Sequence, residues 1–148
     1  MEKSLTLRYN LSALGISVLG LAFSLAFNLS PPGPALWVPV SVMLLAGLSA
    51  GSQDARAMLK AKDELLDALF WKDVNTILRK HAENRVLYTC VRVVSLGAFI
   101  AAIMYVDESV RAGCASFFAF FSAYRAIQLP SILKLDRYAR NRVARAAA

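Results

Sequence analysis

Arg92 and Arg125 stand inside runs of the chain that otherwise carry no charge. A guanidinium keeps its charge at any physiological pH and offers five N–H donors, so burial without partners is costly. No acidic residue falls inside the apolar runs, which leaves water, lipid phosphate, backbone carbonyls or a bound anion as expected partners. Ser122, Arg125 and Gln128 recur every three residues and give the last run a polar face, which must meet protein or water. Two readings follow: the arginines snorkel to nearby headgroups, or they form a basic girdle that binds an anion or lipid headgroup or lines a pore. Counted from the ends of the runs, both sit roughly 10–12 Å deep at similar height.

A second pattern concerns packing. Ala13, Ser17, Gly20, Ser24 and Asn28 fall on one side of a helix at spacings of three and four, and small residues there permit close helix approach. Ala115, Ala119 and Ala123 repeat the pattern in the last run, among Phe117, Phe118, Phe120 and Phe121.

The catalytic inventory is short. His81 is the single histidine, with no cluster at metal-ligand spacing around it, so no metal is expected. The seven glycines form no phosphate-cradling loop, and no nucleophile or zinc-protease motif occurs. Neither an enzyme nor a cofactor is expected. Cys90 and Cys114 both lie in apolar runs without CxxC spacing and read as small buried hydrophobes.

The elements that must position these residues are four apolar runs, at about 11–29, 35–51, 86–106 and 113–133. The first is too long for a usual signal-peptide core and has no A-x-A-type site before Ser30, so it reads as a span. Pro31, Pro32, Gly33 and Pro34 break the first pair, with Trp37 at interface level in the second run. Asp107 to Arg111 forms a tight link in the second pair.

Between the pairs, residues 53–85 carry seven basic and six acidic side chains with apolar residues at helical spacing. This stretch reads as a helical hairpin folded at residues 71–75, with Asp73 or Asn75 capping its second helix; one long helix on the bilayer surface is the alternative. Asp54 is a candidate N-cap or first-turn residue, unless the helix runs on from the second span. Asp63, Glu64 and Asp67 are expected to pair with Lys60 and Lys62 along one helix face.

With 148 residues, 57% apolar, and a net charge of +7, the chain suits one membrane domain over residues 1–148. The basic residues concentrate beside the ends of the apolar runs, in the central stretch and the tail, where they read as topology and attraction to anionic lipid headgroups. No stacking platform accompanies the tail, so nucleic acid is not an expected partner. The positive-inside rule sets both termini and residues 53–85 on the cytoplasmic side of a bacterial-type inner membrane. The fold expected is an all-α bundle of four transmembrane helices with a cytoplasmic hairpin between spans 2 and 3. The function expected is a homo-oligomer with an arginine-lined, anion- or lipid-facing cavity or pore. An accessory, immunity or exclusion-type subunit on a larger membrane protein is the second expectation.

Overall fold

The computed structural model describes residues 5–26, 34–105 and 109–147. The proline break before Pro34, Asn28 and the acidic part of the second link lie outside them. Every regular element among the described residues is a helix: α1 (Leu7–Ala26), α2 (Pro34–Lys60), α3 (Lys62–Asp67), α4 (Trp71–His81), α5 (Arg85–Tyr105) and α6 (Ser109–Ala147). Two of these, α1 and the Leu36–Lys60 part of α2, are long and apolar enough to cross a membrane. The second and fourth apolar runs are only parts of longer helices. α2 continues past Gly51 to Lys60, and α6 carries the basic tail as far as Ala147 without ending at Pro130.

The 39-residue α6 is the axis of the fold. It packs most extensively along α2, then along α1, and α5 lies against both α2 and α6. Small residues make the α2–α6 contact close. A Cβ on Gly51 would lie 2.7 Å from the Tyr124 carbonyl oxygen, and one on Gly47 would meet the Phe120 carbonyl and the Ala123 Cβ. Ala112, Ala115 and Ala119 on the facing helix are fully buried. On α1, a Cβ on Gly20 would lie 2.6 Å from the Phe118 ring, so this part of the small-residue stripe faces α6.

The packing forms two apolar cores. One holds Leu36 and Val40 of α2 against the alanines of α6, with Leu21 and Leu25 of α1 beside them. The other joins Met58, Leu65, Val74, Leu78, Ile132 and Leu135 from α2, α3, α4 and α6. The second core explains the charged stretch: α3 and α4 each turn one apolar stripe onto the shared ends of α2 and α6.

The hairpin forms, but it folds earlier than residues 71–75. The break is Ala68–Phe70, where both flanking residues are extended, and α4 begins at Trp71 with no side-chain cap. Phe70 supplies its carbonyl to the amides of Asp73 and Val74, so Asp73 sits in the first turn and Asn75 within the helix. Burial of Ala68 and Val74 on the common core sets this register. The acidic residues do not pair with Lys60 and Lys62 along one face. Glu64 meets Lys80 and His81 of α4, Asp63 accepts from the Tyr138 hydroxyl at 2.7 Å, and Asp67 meets Arg142. Lys60 and Arg56 pair with Glu83 instead. The cysteines differ from expectation too: both are exposed, on the outer faces of α5 and α6.

Two predictions follow from this packing. Gly51→Ala drives a methyl into rigid backbone, so it should lower stability by about 1–3 kcal/mol in detergent melts followed by circular dichroism. Gly15→Ala, where a Cβ meets nothing within 4 Å, should hold or raise stability. The Glu64 carboxyl is held below the usual range by hydrogen bonds from His81 and Lys80, and Glu83 by those from Lys60 and Arg56. A carboxyl lowered on folding stabilises fully above its unfolded pKa and loses that contribution as pH falls through the folded value. Protection of α4 from hydrogen exchange should therefore drop as pH falls below the ordinary glutamate range. Glu64→Gln together with Glu83→Gln should flatten that drop.

Candidate functional site: a polar layer beside an aromatic cavity

Continuing α2 past Gly51 carries Asp54 into the helix interior, on the face turned to α5 and α6. Its side chain is 0% exposed. The Tyr124 hydroxyl of α6 donates a short hydrogen bond to it, Gln128 Nε2 donates at 3.4 Å and Arg92 Nη2 of α5 at 3.1 Å. The same Arg92 nitrogen donates to the Tyr88 hydroxyl at 2.6 Å, and the guanidinium lies 4.5 Å from the Tyr88 ring centre. Arg92 thus has an acidic partner within the bundle, contrary to the sequence expectation. The close Gly51–Tyr124 approach brings the carboxylate within reach.

Arg125 is engaged on the other side of α6. It donates to Asn10 Oδ1 of α1 at 2.6 Å and lies 5.6 Å from the Tyr9 ring and 5.5 Å from the Tyr124 ring. Asn10 is itself buried, and its amide donates back to the Thr6 carbonyl at 2.9 Å. Asn10, Arg125, Tyr124, Asp54, Gln128, Arg92 and Tyr88 therefore form one polar layer across α1, α6, α2 and α5.

The layer divides the bundle by charge. From Asp54 to Pro34 is about 30 Å of helix, and Asn10–Ala26, Arg92–Tyr105 and Ser109–Arg125 each give about 20–24 Å. On that side of the layer Arg111 is the only charge among the described residues, and its guanidinium donates to the Ser24 and Leu25 carbonyls at 3.0 Å. Large apolar side chains, among them Ile16, Leu19, Val38, Leu45, Val93 and Met104, are exposed there. The remaining described charges lie within the layer or beyond it.

A cavity of about 440 Å³ opens between α2, α5 and α6 on the apolar side. Phe99, Phe117, Phe120 and Phe121 line it, while Arg92 and Arg125 stand at its polar end with Trp71 of α4. The rings touch one another, with Phe117 and Phe121 centred 4.6 Å apart. Arg92 and Leu96 also line a second groove of about 360 Å³, whose other walls are Asn75 and Arg79 of α4 and Tyr88, Thr89 and Val93 of α5.

The remaining sequence candidates behave differently. Gln128 joins the layer, and its Oε1 is buried with no partner among the described residues. Ser122 is buried with an unpartnered hydroxyl and does not line the cavity. Ser17 and Ser24 donate to the carbonyls of Ala13 and Gly20 at 2.8 Å, within their own helix. Among the described residues no group of three or more histidine, cysteine or acidic side chains could hold a metal. The residues sequence reasoning missed are Asp54, Tyr88, Tyr124 and Asn10. Gly47-x-x-x-Gly51 was the available signal, because such a pair predicts close helix approach beside Asp54.

Arg92→Met takes the cationic partner from a fully buried carboxylate that Tyr124 and Gln128 still meet. It should therefore lower stability by roughly 1–3 kcal/mol. The double variant Arg92→Met with Asp54→Leu should recover part of that loss in the same melts, as a coupled pair requires.

Compared with protein-family models, curated proteins and solved structures, the chain matches none.

Proposed function

We propose that this protein is a non-enzymatic, four-span inner-membrane protein that takes up an acyl chain of an anionic lipid, with Arg92 and Arg125 at the mouth of its cavity. The observation that carries this reading is the cavity itself, aromatic along its length and arginine-bearing at one end. Its volume lies within the roughly 300–1,000 Å³ of small-molecule sites. An amphiphile matches that polarity: its chain replaces water against the phenylalanines, and its anion meets the guanidinium groups.

The membrane assignment draws support from the charge division. A helical slab about 20–30 Å deep, with exposed aliphatic side chains, matches the hydrocarbon core of a bilayer. In this arrangement the polar layer lies at the cytoplasmic headgroup level, shallower than the sequence estimate, and both termini and the α3–α4 hairpin are cytoplasmic. α5 and α6 then complete the four spans. A pore between copies is the weaker proposal, because Asp54 and Asn10 engage the two arginines within one chain.

The accessory-subunit reading has its own observation. Leu69 and Phe70, at the break between α3 and α4, are 72% and 70% exposed, while Leu66 is packed on the core. If this edge docks a larger protein, Leu69→Ser with Phe70→Ser would release that protein and leave lipid binding intact.

The cavity reading can be tested with Trp71 as reporter. In a Trp37→Phe background, lipids brominated along the acyl chain should quench Trp71, and filling the cavity by Ala50→Phe should reduce that quenching. Equal quenching before and after filling would sink the acyl-chain reading.

A further inference from the structure

The second groove is not absorbed by the acyl-chain reading. It shares Arg92 and Leu96 with the aromatic cavity, so the two spaces adjoin along one side of α5. Its walls are more polar, with Asn75 and Arg79 from α4 and Tyr88 and Thr89 from α5.

Two features mark it as a site for an anion. Arg92 makes its bonds to Asp54 and Tyr88 through Nη2 alone. Those bonds hold the guanidinium in place, and its Nε and Nη1 N–H groups have no hydrogen-bond partner among the described residues. The side chain is 42% exposed, which leaves it accessible to a ligand. Arg79 is exposed and joins no ion pair among the described residues, unlike Arg56, Lys60 and Lys80 nearby in the hairpin. An exposed arginine beside one with unpartnered N–H groups presents a donor fork and further charge-assisted donors to a single anion.

We infer that this groove is the headgroup subsite of the same lipid: a glycerophospholipid phosphodiester sits between Arg79 and Arg92, with its acyl chain in the aromatic cavity. This rests on the acyl-chain reading and adds a class of ligand to it. Asn75 offers hydrogen bonds to the phosphate or glycerol oxygens. Two arginines against the single carboxylate of Asp54 leave the site positive. A headgroup of net negative charge, as in phosphatidylglycerol, is favoured over a zwitterionic one such as phosphatidylcholine. The subsite also assigns a task to α4, which supplies Arg79 and forms the wall facing α5.

The test is native mass spectrometry of the full chain released from micelles containing equal amounts of phosphatidylglycerol and phosphatidylcholine. One retained phosphatidylglycerol per chain is expected, in preference of about tenfold, the worth of one charge-assisted hydrogen bond. Arg79→Gln should reduce the preference to near parity while one lipid is still retained. Arg92→Gln should do the same, and because Arg79 is exposed and unpaired, its variant decides the matter if Arg92→Gln fails to fold. Lys134→Gln with Arg137→Gln, exposed charges on the α6 tail, should leave the preference unchanged. Retention of both lipids equally by the wild type would overturn the headgroup subsite and spare the acyl-chain reading. Equal loss of preference in the tail variant would also overturn it, in favour of general surface charge. No retained lipid, together with no Trp71 quenching, would overturn both.

Discussion

A carboxylate with no solvent exposure, placed in the interior of α2, is the constraint around which the bundle is arranged. Moving Asp54 out of water is costly unless its oxygens are met by donors. Tyr124, Gln128 and Arg92 provide them, and each comes from a different turn or a different helix. Satisfying that one group fixes the rotation of α2 and the heights of α5 and α6. It is achievable because Gly47 and Gly51 allow the α2 and α6 backbones to approach until the Tyr124 hydroxyl reaches the carboxylate. Packing alone would tolerate several registers of two apolar helices; a buried, directional network selects among them.

Either side of the layer obeys different rules. Toward Pro34 the helices meet through alanine, glycine and serine and expose aliphatic side chains outward, an arrangement suited to an apolar surrounding. Toward the tail, α3, α4 and the ends of α2 and α6 enclose a core of leucine, isoleucine and valine and carry paired charges outside, as a water-facing helical unit does. Besides Val74, Leu78 and Ile77, the ties of α4 to that unit are exposed ion pairs of the kind worth about 1 kcal/mol or less each. A wall held in this way can yield when a ligand enters between α4 and α5.

The all-helical class and the two span-length apolar helices, α1 and α2, were legible because their runs are long and their interruptions are proline, glycine or dense charge. Arg92 and Arg125 also stood out, since a charge within an apolar run is conspicuous. The partner of Arg92 was not legible. Asp54 looked like the start of a charged segment because hydropathy falls after Gly51, whereas the helix itself does not end there. Nothing local links residues 54, 92 and 124; only the helix packing brings them together. The hairpin fold at Ala68–Phe70 was hidden for a related reason. Asp73 and Asn75 have turn-forming chemistry, but burial of Ala68 and Val74 on a shared core outweighs that preference. Cys90 and Cys114 were misread because an exposed position on such a helix can be apolar without being buried.

The central claim is that the polar layer marks the edge of the membrane rather than its middle. Spin-label depth measurements in bilayers address it most directly. In a Cys114→Ser background, one label goes on Cys90, one turn or less from Arg92, and another on Ile100→Cys, about 15 Å further along α5. The account predicts that the Cys90 label is reached by a polar nickel relaxant, while the Ile100 label is shielded from it and reached by oxygen. A Cys90 label buried as deeply as the one at Ile100 would put the arginines within the hydrocarbon and contradict the account. Ready access of nickel to both labels would contradict the membrane placement itself.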